Sequence, residues 1–460
     1  MTTVLRQPGL LPSKFGPVAI NGAAAVVALG IGAEAAGNAH LALEATLALC
    51  FAIILVRSPR VILVILLASV FLEIITVGGL TINRVVAPFA LIIAIGAIAG
   101  GRAVAPTGGP VKWAVAYAIW AIASALWSIS FGGTVYLLAS LLIAVAYALA
   151  FATLIRNLEE LQRAFFALAV IALPISLYAM ATFFAGSASR ASGGKGDPNS
   201  FAAYELIALP LVIAAATMAH DRRRRVFLWV TSVAIIGAAI TSLSRGGLIT
   251  LFVLVLAVVI APASSIFRSR RQKVVVIVTM VVGGMIAFSA TGAAFSQRLD
   301  STFTSSGSSG SGRLNMWKGA VTSIRERPFL GIGYGTFASV STSLLERTPG
   351  VDLVNFTPSP EGDLVHDTYL ETLAELGIPG LFLFLGLVVA TARSLRESAL
   401  AARRAGAAQL ERATNALLLA VLAWAVAAVF LSLETSRPLW ILIGFALAVS
   451  RIDRTSPSTT

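Results

Sequence analysis

The chain is poor in charge. Only 12% of its 460 residues are Asp, Glu, Lys or Arg, against about 25% in an ordinary soluble protein. Acidic residues are scarcer than basic ones, 21 against 34, which leaves a formal net charge of +13. The one cysteine, Cys50, lies inside an apolar run, and histidine is reduced to three residues. A disulfide framework and a cysteine-based metal site are therefore excluded. What fills the chain instead is apolar: 57% hydrophobic residues and a mean hydropathy of +0.89. These figures exclude a soluble globular enzyme and a disordered protein. The basic excess is no nucleic-acid footprint, because it is broken into short clusters between apolar runs, as cytoplasmic membrane anchors are.

The class read from this is an all-α polytopic membrane protein. A helix needs about 20 mostly apolar residues to cross a bilayer. Candidate spans fall at 17–33, 40–56, 61–77, 82–100, 113–129, 134–155, 164–185, 200–219, 226–243, 247–262, 274–291, 378–396, 413–433 and 438–450. That is fourteen, and losing one hairpin gives twelve with the same polarity. With the N-terminus in the cytoplasm, 23 of the 34 basic residues fall in inside segments, at least two in each. This is the positive-inside pattern, and it puts both termini in the cytoplasm. No cleavable signal peptide is expected, since Arg6 and Lys14 simply precede the first span. The chain then divides into N-terminal helices over 1–160, helices with informative outer loops over 161–291, a large extracytoplasmic loop over 292–377, and C-terminal helices with a tail over 378–460.

Two outward connections are long. Residues 186–199 are Gly/Ser-rich and carry Arg190 and Lys195. Asp197-Pro198-Asn199 then opens a helix, with proline in its first turn and Asp or Asn available as a cap. The larger connection, 292–365, starts with STFTSSGSSGSG, flexible by composition. Beyond it Leu314, Trp317, Val321 and Ile324 recur at helical spacing. The expected helix lies on the membrane surface with Trp317 at the headgroups. Pro328 ends it. Gly331, Gly333 and Gly335 follow, either as a turn packed backbone-to-backbone or as a plain loop. Residues 363–376 can form a further helix, stopped by Gly377 and Pro379. His366, Leu370 and Leu373 share a face of it, with Tyr369 adjacent.

His366 is the histidine surrounded by other chemistry, namely Asp363, Asp367 and Tyr369. Its ordinary pKa suits a general base, although a lone histidine is also commonly structural. Arg245 stands in Ser244-Arg245-Gly246-Gly247, a tight hairpin at the rim. There a guanidinium can fork onto a phosphate, or snorkel to the interface. Arg313 begins the surface helix, as an anchor with Trp317 or as a second phosphate ligand. Several guanidiniums, a lysine and one histidine suit a lipid-linked diphosphate. Glu361-Gly362-Asp363 is the nearest approach to an acidic metal pair. Cationic side chains can neutralise a leaving diphosphate alone, so neither metal nor cofactor is expected, and no Gly-rich Lys loop offers a nucleotide site. A competing class is a lipid-linked oligosaccharide flippase, which would place polar groups at the membrane midplane between repeats. Such candidates are sparse (Glu44, Glu73 and Glu205), and no internal repeat is evident.

In order and spacing these segments resemble the O-antigen ligase/polymerase family of bacterial envelope glycosyltransferases. The resemblance rests on Gly196-Asp197-Pro198-Asn199, on Ser244-Arg245-Gly246-Gly247, and on Arg313 through Trp317 leading to Pro328, Gly331, Gly333 and Phe337. It is completed by His366 followed by Tyr369, Leu370, Glu371, Glu375, Leu376, Gly377 and Gly380, and it covers roughly residues 170–390. It implies a GT-C-like inner-membrane transferase of about twelve spans, its site facing the periplasm. Such enzymes take a glycan from undecaprenyl diphosphate. Ligases pass it to a lipid A core sugar, and polymerases to another lipid-linked repeat. By resemblance Arg245 and Arg313 bind the diphosphate and His366 activates the acceptor hydroxyl; from their charge and place, Arg190 and Lys195 are expected to aid the two arginines. Asp197, Asn199, Trp317 and Tyr369 support them. The implied partners are the lipid-linked donor, a glycan or glycolipid acceptor and membrane lipid, with no nucleic acid.

Overall fold

The computed structural model describes residues 59–72, 76–77, 80–194, 196–267, 269–278, 280–281, 284–285, 292, 311–351 and 362–455. Residues 64–460 form one compact unit. The spans expected at 17–33 and 40–56, residues 301–310 of the Ser/Gly stretch, His40, Lys195 and Glu361 lie outside the described residues, and the end of that stretch, Ser311 and Gly312, opens a helix.

The architecture is all-α and polytopic. Eight described helices are long and apolar enough to cross a membrane: Ile82–Ala99, Gly109–Leu126, Phe131–Leu154, Leu158–Phe184, Pro198–Met218, Arg222–Thr241, Thr368–Arg404 and Ala408–Ala427. Pro59–Phe71, Arg245–Ile260 and Arg437–Thr455 are further apolar helices. The expected span 61–77 is shorter than its apolar run. Its helix stops at Phe71, and Thr76–Val77 pairs antiparallel with Leu80–Thr81. β-branched Thr and Val favour that pairing over a continued helix.

Pro198–Met218 is the central helix. Every residue from Phe201 to Met218 is buried. It packs against Leu158–Phe184, Arg222–Thr241, Arg245–Ile260 and Ala408–Ala427. The helix carries no amphipathic stripe, and Glu205, buried within it, is kept from lipid by this enclosure. Thr368–Arg404 packs on Gly109–Ala123, Ala408–Ala427 and Arg437–Thr455.

The segment 311–346 folds as two helices, Ser311–Glu326 and Phe337–Glu346, docked on each other. The face that packs on the rest of the protein lies beside the expected apolar stripe. Met316 and Ala320 enter a core with Ile332, Phe337, Leu344, Leu345, Val365 and Ala374. Trp317 and Ile324 pack at its flank, while Leu314 and Val321 are exposed. Small residues at 319 and 320 decide this, because they let Phe337–Glu346 approach closely; a Cβ on Gly319 would sit 3.2 Å from Leu345.

The glycine-rich turn resolves as close backbone packing. Ile332 N donates to Ala374 O at 3.1 Å, Gly333 N to Glu375 O at 2.9 Å and Ile378 N to Pro328 O at 2.9 Å. A side chain on Gly331 would strike the Glu375 carbonyl, and one on Gly377 the Phe329 carbonyl. Both glycines are left-handed, with φ of 69° and 67°, so no L-residue with a side chain fits either place. Glu375 completes the joint. Its carboxylate accepts from the Gly335 and Phe337 amides at 2.7 and 2.9 Å, capping the start of Phe337–Glu346.

Candidate functional site

Three helices begin around one place. Asp197 caps Pro198–Met218, accepting from the Asn199 and Ser200 amides at 3.2 and 2.9 Å and from Ser200 Oγ at 2.6 Å. Pro198 occupies the first turn, where no amide partner is needed. Ser244 caps Arg245–Ile260 through the Gly247 amide at 3.1 Å. Asp367 caps Thr368–Arg404 through the Tyr369 and Leu370 amides, both at 3.0 Å. First-turn amides and the positive end of the helix dipole favour a nearby anion.

A cleft between the first two of these helices is lined by Asn199, Ala203, Ser244, Gly246, Gly247, Arg313, Ala427, Phe430 and Leu431. The two glycines keep it narrow-walled. A Cβ on Gly246 would lie 2.8 Å from Phe430, and one on Gly247 2.9 Å from Ala202. Arg245 is the first residue of its helix and is half-buried. Arg313 enters the cleft from the Ser311–Glu326 helix.

His366 stands beside this cleft, half-buried, with Arg313, Asp197 and Asp363 in electrostatic reach. Burial and then the Arg313 guanidinium push its imidazole below the usual 6.5, against the opposing pull of Asp197 and Asp363. Burial alone would raise the Asp197 carboxyl. Hydrogen bonds from the Ser200 side chain and from the Ser200 and Asn199 amides, with Arg190 nearby, hold it below its ordinary value instead. Asp367 is raised by burial, partly offset by the two amides it caps.

The helix carrying this segment starts later than expected. It begins at Thr368, so His366 precedes it and does not share a helical face with Leu370 and Leu373. The Asp367 cap fixes that start. His366 adopts a left-handed backbone with φ of 57°. Among the described residues the one other non-glycine with positive φ is Leu243, at 51°, immediately before the Ser244 cap. An L-residue there costs about 1–2 kcal/mol, and such strain gathers at functional sites. Both cases flank the cleft.

The other expected residues divide into two sets. Arg190 Nη2 donates to Asn199 Oδ1 at 2.8 Å, and its Nε to Ser242 O at 2.9 Å. It therefore ties the 186–197 loop to the cleft wall and to the end of Arg222–Thr241. Trp317 and Tyr369 are not gathered at the cleft. Trp317 packs in the loop core, and Tyr369 Oη donates to Ala425 O at 2.8 Å. His220 is exposed beside the arginine run at the opposite end of Pro198–Met218.

One segment escaped the sequence reading. The span expected at 413–433 ends as a helix at Ala427, and residues 428–436 turn back beneath His366. Thr368 N donates to Ala428 O at 2.8 Å, Thr368 Oγ1 donates to Leu431 O at 2.6 Å and accepts from Leu433 N at 2.8 Å. Glu371, Glu375 and Glu434 are buried here. Glu434, at the end of an apolar run, was the available signal, since a buried carboxyl in a membrane protein is rarely idle.

The family model described as O-Antigen ligase matches residues 230–385. The chain is similar to O-antigen ligases over this segment. No curated protein sequence matches the chain. The matched segment contains Arg245, Arg313 and His366, together with the loop helices and the glycine joint. Arg190, Asp197 and Asn199 lie outside the matched residues, yet the fold brings them against the cleft through Ser242 and Ser244.

Proposed function

We propose that the protein is an O-antigen ligase-type glycosyltransferase. It moves a glycan from undecaprenyl diphosphate to an acceptor sugar hydroxyl on a lipid A core or another envelope glycan. One observation carries this reading: His366 stands beside a cleft that has a guanidinium, Arg313, in its wall and two helix N-termini at its rim. That arrangement puts a base and an anion-stabilising surface within one substrate's reach.

In the reaction the acceptor oxygen attacks the anomeric carbon with inversion. Its proton passes to the neutral His366 imidazole. The bond from the anomeric carbon to the diphosphate oxygen breaks, and that oxygen leaves with the electron pair. Arg313 and Arg245 stabilise the charge developing on it, as does the start of Arg245–Ile260 at Gly246. Arg190 and Asn199 keep that wall in place, Asp197 caps its helix, and Lys195, two residues before Asp197 in sequence, adds positive charge. Lowering the His366 pKa keeps the imidazole neutral at pH 7, the form a general base requires. The active site faces the periplasm of the inner membrane, as the charge placement favours, and needs no metal.

A polymerase would share this donor chemistry and differ in its acceptor. A flippase would move the donor without breaking a bond. Reconstitution with labelled undecaprenyl-diphosphate-linked glycan separates the three. Transfer to an added core acceptor supports a ligase, and a product ladder from donor alone a polymerase. Movement across the bilayer without bond formation supports a flippase. His366→Ala should bind undecaprenyl diphosphate normally and lose about 10²–10⁴-fold in transfer. Near-normal turnover in that variant would remove His366 as the base.

A further inference from the structure

We propose that Ser432 and Glu371 are positioning residues, which hold His366 in its left-handed backbone conformation and so keep its imidazole on the Arg313 side of the cleft. The proposal rests on the reading of His366 as the general base.

The geometry is a chain of three groups from two segments distant in sequence. The His366 amide donates to Ser432 Oγ at 3.2 Å. An amide is only a donor, so Ser432 must accept there, and its single hydroxyl proton is left for another partner. That partner is the Glu371 carboxyl, to which Ser432 Oγ is hydrogen-bonded. Glu371 lies on the first turn of Thr368–Arg404 and is 2% exposed. The position of Ser432 is fixed from both sides, because its neighbours Leu431 and Leu433 are each hydrogen-bonded to the Thr368 hydroxyl.

This arrangement accounts for the strained φ. Relaxing His366 to an extended backbone would swing its amide away from Ser432 and its Cβ away from Arg313. The rest of the segment is anchored elsewhere: Asp363 N is held by Ser341 Oγ at 3.0 Å, three residues earlier, Val365 packs in the loop core, and Asp367 is occupied as a helix cap. Ser432 meets the backbone amide of His366 and Glu371 meets it through Ser432, so both act by way of the His366 backbone. The charged groups facing the imidazole are Arg313, Asp197 and Asp363, with Asp367 and Glu371 on the adjoining helix.

The test uses the full-length protein carrying His40→Gln and His220→Gln, which leaves His366 as its one histidine. Diethyl pyrocarbonate modifies neutral imidazole, and its rate against pH reports both the ionisation and the accessibility of His366 without any glycan. Ser432→Ala should raise the modification rate several-fold and move the midpoint up toward the ordinary 6.5. Transfer should fall about 10²-fold in kcat while undecaprenyl diphosphate binding is unchanged. Glu371→Leu should do the same. Ser432→Thr keeps the hydroxyl and Glu371→Gln keeps an acceptor, and both should stay near the parent. If Glu371→Leu does not fold, Ser432→Ala decides. Parent-like modification in Ser432→Ala overturns the proposal, as does equal damage from the conservative and non-conservative variants. An altered modification profile with transfer that survives His366→Ala supports the positioning and overturns only the base assignment.

Discussion

Arg190 and Asn199 are hydrogen-bonded, Nη2 to Oδ1 at 2.8 Å, while Arg190 Nε is held by the Ser242 carbonyl. A cationic residue that composition alone offered as a phosphate ligand thus has two of its donors committed to the protein. Its effect on a donor is expected to pass through the wall it braces. Arg190→Ala and Asn199→Ala should each lower thermal stability, and the double variant should lose less than their sum. A coupling of about 1 kcal/mol is expected for a half-buried charged hydrogen bond. Additive losses in a melting-temperature double-mutant cycle would show that the contact is not holding the loop.

Arg245→Lys should be impaired although the charge is kept. A guanidinium makes two aligned hydrogen bonds to a phosphate, while an ammonium is a point charge. Arg245 starts a helix whose cap, Ser244, and next residues, Gly246 and Gly247, line the cleft. The substitution should raise the donor KM more than it lowers kcat, and Arg245→Ala should be worse on both. Parent-like kinetics in folded Arg245→Ala would leave Arg245 as an interfacial anchor.

Most of the fold was legible because bilayer physics leaves a short list of answers. Apolar runs of fixed length had to become helices, and the helix start at Asp197 followed from Asp-Pro, whereas Ser244-Arg245-Gly246-Gly247, expected as a hairpin, forms the cap and first turn of Arg245–Ile260. The site was legible only as a set of residues. Spacing gave no way to know that Arg190 faces Asn199, or that His366 precedes its helix. Periodicity also gave no sign that Ser311–Glu326 docks on Phe337–Glu346, because Gly319 and Ala320 add no apolar weight to a pattern yet set the helix approach. The 428–436 turn was missed for a related reason: it continues an apolar run, and its end as a helix is set by partners at Thr368, far away in sequence.

Transfer activity should survive exhaustive treatment with a chelator. The motivation is positive: Arg313, Arg245 and the N-terminus of Arg245–Ile260 already supply the charge that a cation would bring to a leaving diphosphate. Activity abolished by chelator and restored by a divalent ion would shift attention to Asp363 and its neighbour Glu361.

The pH profile offers the sharpest check on His366. Burial and Arg313 both lower its pKa in the free protein. The base form is then fully present at pH 7, and it is lost only as pH falls through a value below the ordinary 6.5. Because kcat/KM reports the free enzyme, its acid limb should have a midpoint under 6.5. Arg313→Gln removes one of the two causes, so that midpoint should move upward, while the basic side of the profile is unchanged. Bound donor should act in the same direction as that substitution. Its diphosphate charge offsets Arg313 and favours the imidazolium, so the acid limb of kcat should lie at higher pH than that of kcat/KM. Steady-state rates across pH 4.5–8 for the parent, Arg313→Gln and Ser432→Thr would show this ordering. An acid limb that ignores Arg313→Gln would mean that the titrating base is some group other than His366. Asp367, raised by burial but occupied as a helix cap, would be the next residue to substitute.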